Sequence, residues 1–296
     1  MMIATPPVRR RIVGAALRRY RQELGFGLDD AARLLECDRS KISRIETGQR
    51  GIRNRELRDL LTEYGADKQV QDILAMIANP RRMPGWWWAY TDVLPDTSHD
   101  YFALETTASQ IMIFAAQQVP ALLQTGEYAS AVAAATPNVS AARSGRLREA
   151  YRARQESVLD GSRPRVVAVI GEAALRQVVG GHDVMHAQLG ALADASSRFP
   201  RVSIRVLPFT SGAQAAGDTG SFTILRYAQV PDLGMVYLPG ISGGIFLESQ
   251  PDVDAAASAF ERLKAYALDP DTSARLIRDI REPYAEDQPA ARSIRL

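Results

Sequence analysis

The chain has 296 residues, of which 46% are apolar and 24% charged, with a formal net charge of +2. That length holds two domains or one large one, and the apolar content suits a buried core. No run approaches the roughly 18 apolar residues that cross a bilayer, the lone Cys37 excludes an internal disulfide, and arginines following a short Pro-containing segment reverse the order of a signal peptide. A cytoplasmic protein without membrane contact is expected.

The charge divides unevenly. Residues 1–82 carry 17 Lys and Arg against 11 Asp and Glu, a balance of +6, and the remainder carries 19 against 23, a balance of −4. Basic charge gathered at one end suits a polyanionic partner, since neutralising phosphates releases counterions; a solvated basic face is the plainer alternative.

In chain order, the pattern predicts helices over 8–24, closed by Gly25; 28–35, with Asp29 and Asp30 in its first turn; 39–47, capped by Asp38 and ended by Gly48; 54–64, capped by Asn54; and 68–78. Residues 1–79 therefore form an all-helical domain. Residues 80–98 have the Pro and Gly chemistry of a linker and include Trp86, Trp87 and Trp88. Residues 99–284 read as a larger mixed α/β domain. Its predicted helices cover 100–117, 122–135, 141–159, 172–179, 184–198, 253–267 and 273–282. Its predicted strands cover 165–170, 202–207, 221–227, 234–238 and 244–247. Residues 285–296 read as a flexible tail. The fold class is α+β.

The third predicted helix carries the functional argument. With Ile42 and Ile45 turned inward, Ser40, Ser43 and Arg44 point outward, flanked by Arg39 and Lys41. A short, polar, basic face near a helix N-terminus suits the major groove, whose base edges accept arginine and hydroxyl contacts. Ala31 and Ala32 are small enough for close packing across the preceding turn. Arg50 and Arg53 lie in a glycine-containing loop beyond the helix, placed for phosphates.

On Leu24-Gly25, Ala32 and the run from Ser40 to Gly48, the sequence resembles the Xre family of helix-turn-helix regulators. The resemblance implies that Arg21 pairs with Glu46 and orients the two helices. The remainder resembles WhiJ-like, antitoxin-like regulators of actinobacteria, on Glu105, Val119 to Thr125 with Tyr128-Ala129, Arg152 to Leu159, Glu172 to Leu175 with Gly180-Gly181, and Val206 to Phe209. Ala121 and Gln214 depart from that group, which usually has glycine and histidine there. The resemblance implies a double-stranded DNA operator as partner and regulation of development or specialised metabolism, often beside a small partner protein. A homodimer is expected, since a small reading domain gains affinity from two copies. Trp86, Trp87, Trp88, Gln124 and Tyr128 are candidates for an effector pocket or an interface; packing of the linker, and ordinary turn and cap roles for Gln124 and Thr125, are the alternatives.

No catalytic role, cofactor or metal is expected. The G-x-S-x-G run from Gly240 to Gly244 lacks the helix that a nucleophile elbow needs next and any later histidine. His182 and His186, four apart, lack further ligands for zinc. Two readings remain: a dimeric transcriptional regulator whose second domain senses an effector or partner, and an interaction protein of antitoxin type that sequesters a small protein and regulates itself through DNA.

Overall fold

The computed structural model describes residues 6–79, 85–94, 98–135, 141–160, 164–213, 218, 220–228, 230, 233–240 and 244–285. Gln214 and Ser242 lie outside the described residues, as does the expected tail beyond Ala285. No helix among the described residues is long and apolar enough to cross a membrane.

Five helices open the chain: α1 (Val8–Glu23), α2 (Leu28–Leu34), α3 (Arg39–Glu46), α4 (Asn54–Glu63) and α5 (Lys68–Ala78). Gly25 follows α1 at φ +70°, the left-handed conformation that lets Phe26 N–H bond back to the Arg21 carbonyl at 3.0 Å. Asn54 is the first helical residue of α4 and not its cap. Arg53 occupies the cap position, and its N–H donates to Glu56 Oε2 at 3.2 Å, so the N3 carboxylate satisfies the free donor that a capping side chain otherwise serves. Asp38 precedes α3 without a side-chain capping bond.

The second half is built on a six-stranded mixed sheet of β1 (Gln110–Ala115), β2 (Arg165–Gly171), β3 (Val202–Leu207), β4 (Phe222–Arg226), β5 (Gly234–Leu238) and β6 (Ile245–Leu247), in the order β3-β2-β1-β4-β5-β6. The first three strands are parallel, and β4 to β6 run antiparallel in turn. The helices are α6 (His99–Thr107), α7 (Gly126–Ala134), α8 (Ala141–Leu159), α9 (Glu172–Arg176), α10 (His182–Ala193), α11 (Ala195–Arg198), α12 (Gln250–Tyr266) and α13 (Pro270–Arg281).

The helix predicted over 100–117 is two elements. α6 ends at Thr107, where the hydroxyls of Thr106 and Thr107 bond back to the Phe102 and Ala103 carbonyls at 2.9 and 3.0 Å. The apolar run from Ile111 to Ala115 is then buried as a central strand, paired with β2 and β4. A strand covered on both faces shows no alternation, so its period could not separate it from helix. Smaller differences follow turn chemistry. A 3-10 turn (Ala121–Leu123) precedes α7, α9 stops at Arg176, and the predicted 184–198 helix breaks into α10 and α11 at Asp194.

Alternate strand residues face two cores. Met112, Phe114, Val167, Val169, Ile224 and Val236 pack on Val253, Phe260 and Leu263 of α12. Ile111, Ile113, Val166, Ala168, Ile204 and Val206 face the larger core, which takes in α10 and α13 and continues without interruption into Leu57, Ile73 and Ile77 of the N-terminal helices. The linker joins this core. A 3-10 helix (Trp86–Tyr90) buries Trp87, sets Trp86 4.7 Å from Phe102, and places Tyr90 under the Arg146 guanidinium at 4.7 Å. Two ion pairs tie the halves: Arg9 of α1 reaches Asp100 of α6 at 2.6 Å, and Arg11 grips both Glu248 oxygens. The N-terminal helices are thus docked on the sheet domain.

Candidate nucleic-acid interface and a second cavity

Ile42 and Ile45 of α3 are buried against Ala31 and Ala32 of α2, so the two helices meet through small side chains. The turn between them uses Glu36 at φ +47°, an uncommon conformation for a residue with a Cβ; the Cys37 N–H closes it on the Ala32 carbonyl at 2.9 Å. The opposite face of α3 exposes Arg39, Ser40 and Arg44, with Ser43 half-buried. Arg44 lies along its own helix, Nε donating to the Ser40 carbonyl at 3.2 Å, and Arg39 stands 3.8 Å from Asp29. Lys41 differs from the flanking role expected for it. Its ammonium donates to Glu56 of α4 at 2.7 Å in a largely covered pair, which fixes α3 to α4 and removes Lys41 from the free basic face. Arg50 and Arg53 are exposed beyond the helix.

Arg21 and Glu46 meet in a buried two-bond pair, Nε to Oε1 at 2.6 Å and Nη2 to Oε2 at 2.9 Å, and Arg21 Nη1 also donates to the Phe26 carbonyl at 2.5 Å. The hydrogen bond to Glu46 raises the Arg21 pKa against the opposing effect of burial. Beside the pair, burial pushes the Tyr64 hydroxyl up to about 12, helped by the Glu46 charge. Arg21 therefore stays charged near neutrality, and its two bonds to Glu46 lock α1 to the end of α3. Their closeness also depends on Gly14: a Cβ there would stand 2.5 Å from the Ile45 carbonyl oxygen and 2.6 Å from that of Glu46.

In the sheet domain the expected pocket residues separate. Thr125 is a helix cap, its hydroxyl accepting from Tyr128 N–H at 3.3 Å. Tyr128 is fully buried and lies outside the cavity lining. Trp86, Trp87 and Trp88 do not line it either; Trp86 packs behind Phe102, which does. Gln124 alone of these lines a cavity of about 350 Å³, which opens where Phe114 and Ala115 of β1, Phe222 and Thr223 of β4, and Tyr237 and Pro239 of β5 come together. This is the carboxyl end of β1, at the point where the strand order reverses direction. Open α/β sheets bind ligands at that place because the loops diverge to either side.

The sequence did not single out Arg154, which lines the same cavity while buried and bonded to Glu105 through Nε and Nη2, both at 2.7 Å. Tyr101 donates to Glu105 Oε1 at 2.9 Å, and the rings of Tyr101 and Phe102 flank the guanidinium at 5.6 and 5.3 Å. Burial opposes the charge on Arg154, but Glu105 more than compensates and holds its pKa above the ordinary arginine value. Burial also lifts the Tyr101 hydroxyl well above its usual range. Glu105 and the run from Arg152 to Leu159 both stand in the family resemblance, which gives no pairing between them; the pairing comes from the structure.

His186 Nε2 lies 2.7 Å from Arg281 Nη2 and His182 packs on Tyr284. Among the described residues no group of three or more His, Cys, Asp or Glu is placed to hold a metal. Ile245–Leu247, just after the G-x-S-x-G run, is strand.

The architecture is that of a helix-turn-helix protein with an α/β second domain, and a helix-turn-helix domain family matches residues 12–72. The chain belongs to the DUF5753 family, a domain of unknown function that spans residues 98–279. Neither the curated proteins nor the solved structures contain a match.

Proposed function

We propose that this protein is a sequence-specific, DNA-binding transcriptional regulator, with α3 as the reading helix and the sheet domain as the part that answers an effector. The carrying observation is the α3 face itself: Arg39, Ser40 and Arg44 are exposed together on a helix locked from behind by Arg21–Glu46 and Lys41–Glu56. One helix of this size fills one major-groove site, so a homodimer on two half-sites is the natural operator complex. The full chain should sediment as a dimer at micromolar concentration, and a monomer bound to operator would end that part of the reading. The Xre and WhiJ-like resemblance supports an actinobacterial regulator of this kind, working in the cytoplasm. Docking through α6 favours an effector domain over a mere anchor, because α6 carries Asp100 against α1 and Tyr101 and Phe102 against the cavity.

Arg44→Ala should erode the preference for operator over scrambled duplex by on the order of tenfold, the worth of one good base contact. Arg50→Ala or Arg53→Ala should weaken both duplexes together and flatten the salt dependence, since fewer counterions are released. Titrations of both duplexes at several salt concentrations measure this, and an unchanged preference in Arg44→Ala would mean that α3 does not read bases through its exposed arginine.

A further inference from the structure

The cavity at the end of β1 resolves the chemistry of the effector, an inference that rests on the regulatory reading. Its wall is aromatic on several sides, through Tyr101, Phe102, Phe114, Tyr151, Phe222 and Tyr237. Such walls favour a flat, aromatic occupant, stacked or edge-on to the rings. Its volume, about 350 Å³, is at the lower end for small-molecule sites.

Two polar features set what that occupant carries. Arg154 is the one charged residue among the described lining residues, and it is already neutralised by Glu105. Its bonds to Glu105 use Nε and Nη2, so Nη1 takes no part in the pair. A ligand oxygen can accept there, whereas a carboxylate would be desolvated beside a cation whose charge is spent. Gln124 supplies the complement. Its Nε2 donates to the Val119 carbonyl at 2.8 Å, which fixes the amide, and its Oε1 is buried with no hydrogen-bond partner. An acceptor left unmet in the free protein gains from a ligand O–H or N–H. The larger groove nearby, about 820 Å³, is walled by exposed ions such as Arg148, Arg152 and Arg198, and Tyr151 and Phe199 are the aromatic residues among its described lining.

We infer that the cavity bounded by β1, β4, β5 and α6 binds an uncharged, planar aromatic molecule that bears both an oxygen acceptor and a hydroxyl or N–H donor, and that this class of compound is the effector.

The test uses the full chain and 7-hydroxycoumarin, held at mildly acidic pH so that its hydroxyl stays protonated. Isothermal titration should show saturable one-site binding at about millimolar concentration or below, as ligand efficiencies allow for twelve heavy atoms. Naphthalene, which has the shape without the polar groups, should bind about tenfold more weakly, the equivalent of one net hydrogen bond. The 3-carboxylate of the same coumarin should also bind less tightly. Ala121→Phe, which adds bulk at a lining residue while leaving Arg154, Glu105 and Gln124 unchanged, should abolish uptake while the chain keeps its helical and sheet circular-dichroism signature. Absence of saturable uptake, uptake unaltered in Ala121→Phe, naphthalene binding as tightly, or tighter binding of the carboxylate would each overturn the assignment. Operator titration of the same preparation separates the two claims. DNA binding without coumarin uptake removes the ligand class alone, and coumarin uptake by a chain that ignores DNA removes the regulatory reading.

Discussion

Arg154→Ala is expected to destabilise the folded chain by about 3–5 kcal/mol, the range for removing one partner of a buried ion pair. Glu105 has no exposed surface, and without Arg154 its carboxylate keeps, among the described residues, the Tyr101 hydroxyl at 2.9 Å. The loss arises mainly from the charge left behind and not from the strength of the pair. Replacing both partners with apolar residues of similar length, Glu105→Leu with Arg154→Met, should therefore recover most of the stability. Urea denaturation of the wild type, the single variants and the double variant measures this cycle. A double variant no more stable than the worse single would show that the site is held by packing on Tyr101 and Phe102 and not by charge compensation. The cycle has a functional side as well. A double variant that keeps the fold is expected to lose the polar character of one cavity wall.

The second large effect lies at Gly14. A methyl group there would stand 2.5–2.8 Å from backbone atoms of Ile45 and Glu46, which cannot rotate away. Gly14→Ala gains about 1 kcal/mol in intrinsic helix propensity, while overpacking of this kind costs about 1–3 kcal/mol. The net change in stability is thus moderate. The change in DNA binding should be greater, because the clash is relieved by moving the C-terminal end of α3 away from α1, and with it the Arg21–Glu46 bonds. Operator affinity is expected to fall by more than about tenfold, since displacing a recognition helix disturbs several base contacts of about 1–3 kcal/mol each. Operator titration beside a melting curve decides it. Wild-type affinity in Gly14→Ala would mean that α3 tolerates a shift against α1, and that α1 does not set the orientation of the reading helix.

Much of the N-terminal half is legible in the sequence, and the reason is local. Amphipathic spacing, Gly25 and Gly48 at helix ends, and small Ala31 and Ala32 opposite Ile42 and Ile45 define the helices and the face of α3 from residues close in the chain. Five of the six strands are likewise marked by β-branched runs between turn residues. The sequence also placed Arg21 and Glu46 as partners, through the family resemblance, and the structure holds them in contact. It could not say that Lys41, on the flank of the same helix, would turn to Glu56 of α4 and leave the basic face.

What only the tertiary structure decided depends on distant residues. β1 is covered on both faces, so its apolar run carries no period, and only its pairing with β2 and β4 makes it a strand. Where β1 lies in the sheet fixes the crevice, and the crevice brings Tyr101 of α6, Arg154 of α8, Tyr237 of β5 and Gln124 of the turn before α7 to one cavity. Of the tryptophans, prominent in the sequence, Trp86 and Trp87 pack the linker behind that wall through the hydrophobic effect, while Trp88 stays exposed beside His99. A local pattern specifies a helix and the face it turns outward. A site assembled across a sheet is specified by topology, because its members are neighbours only after the chain has crossed and returned.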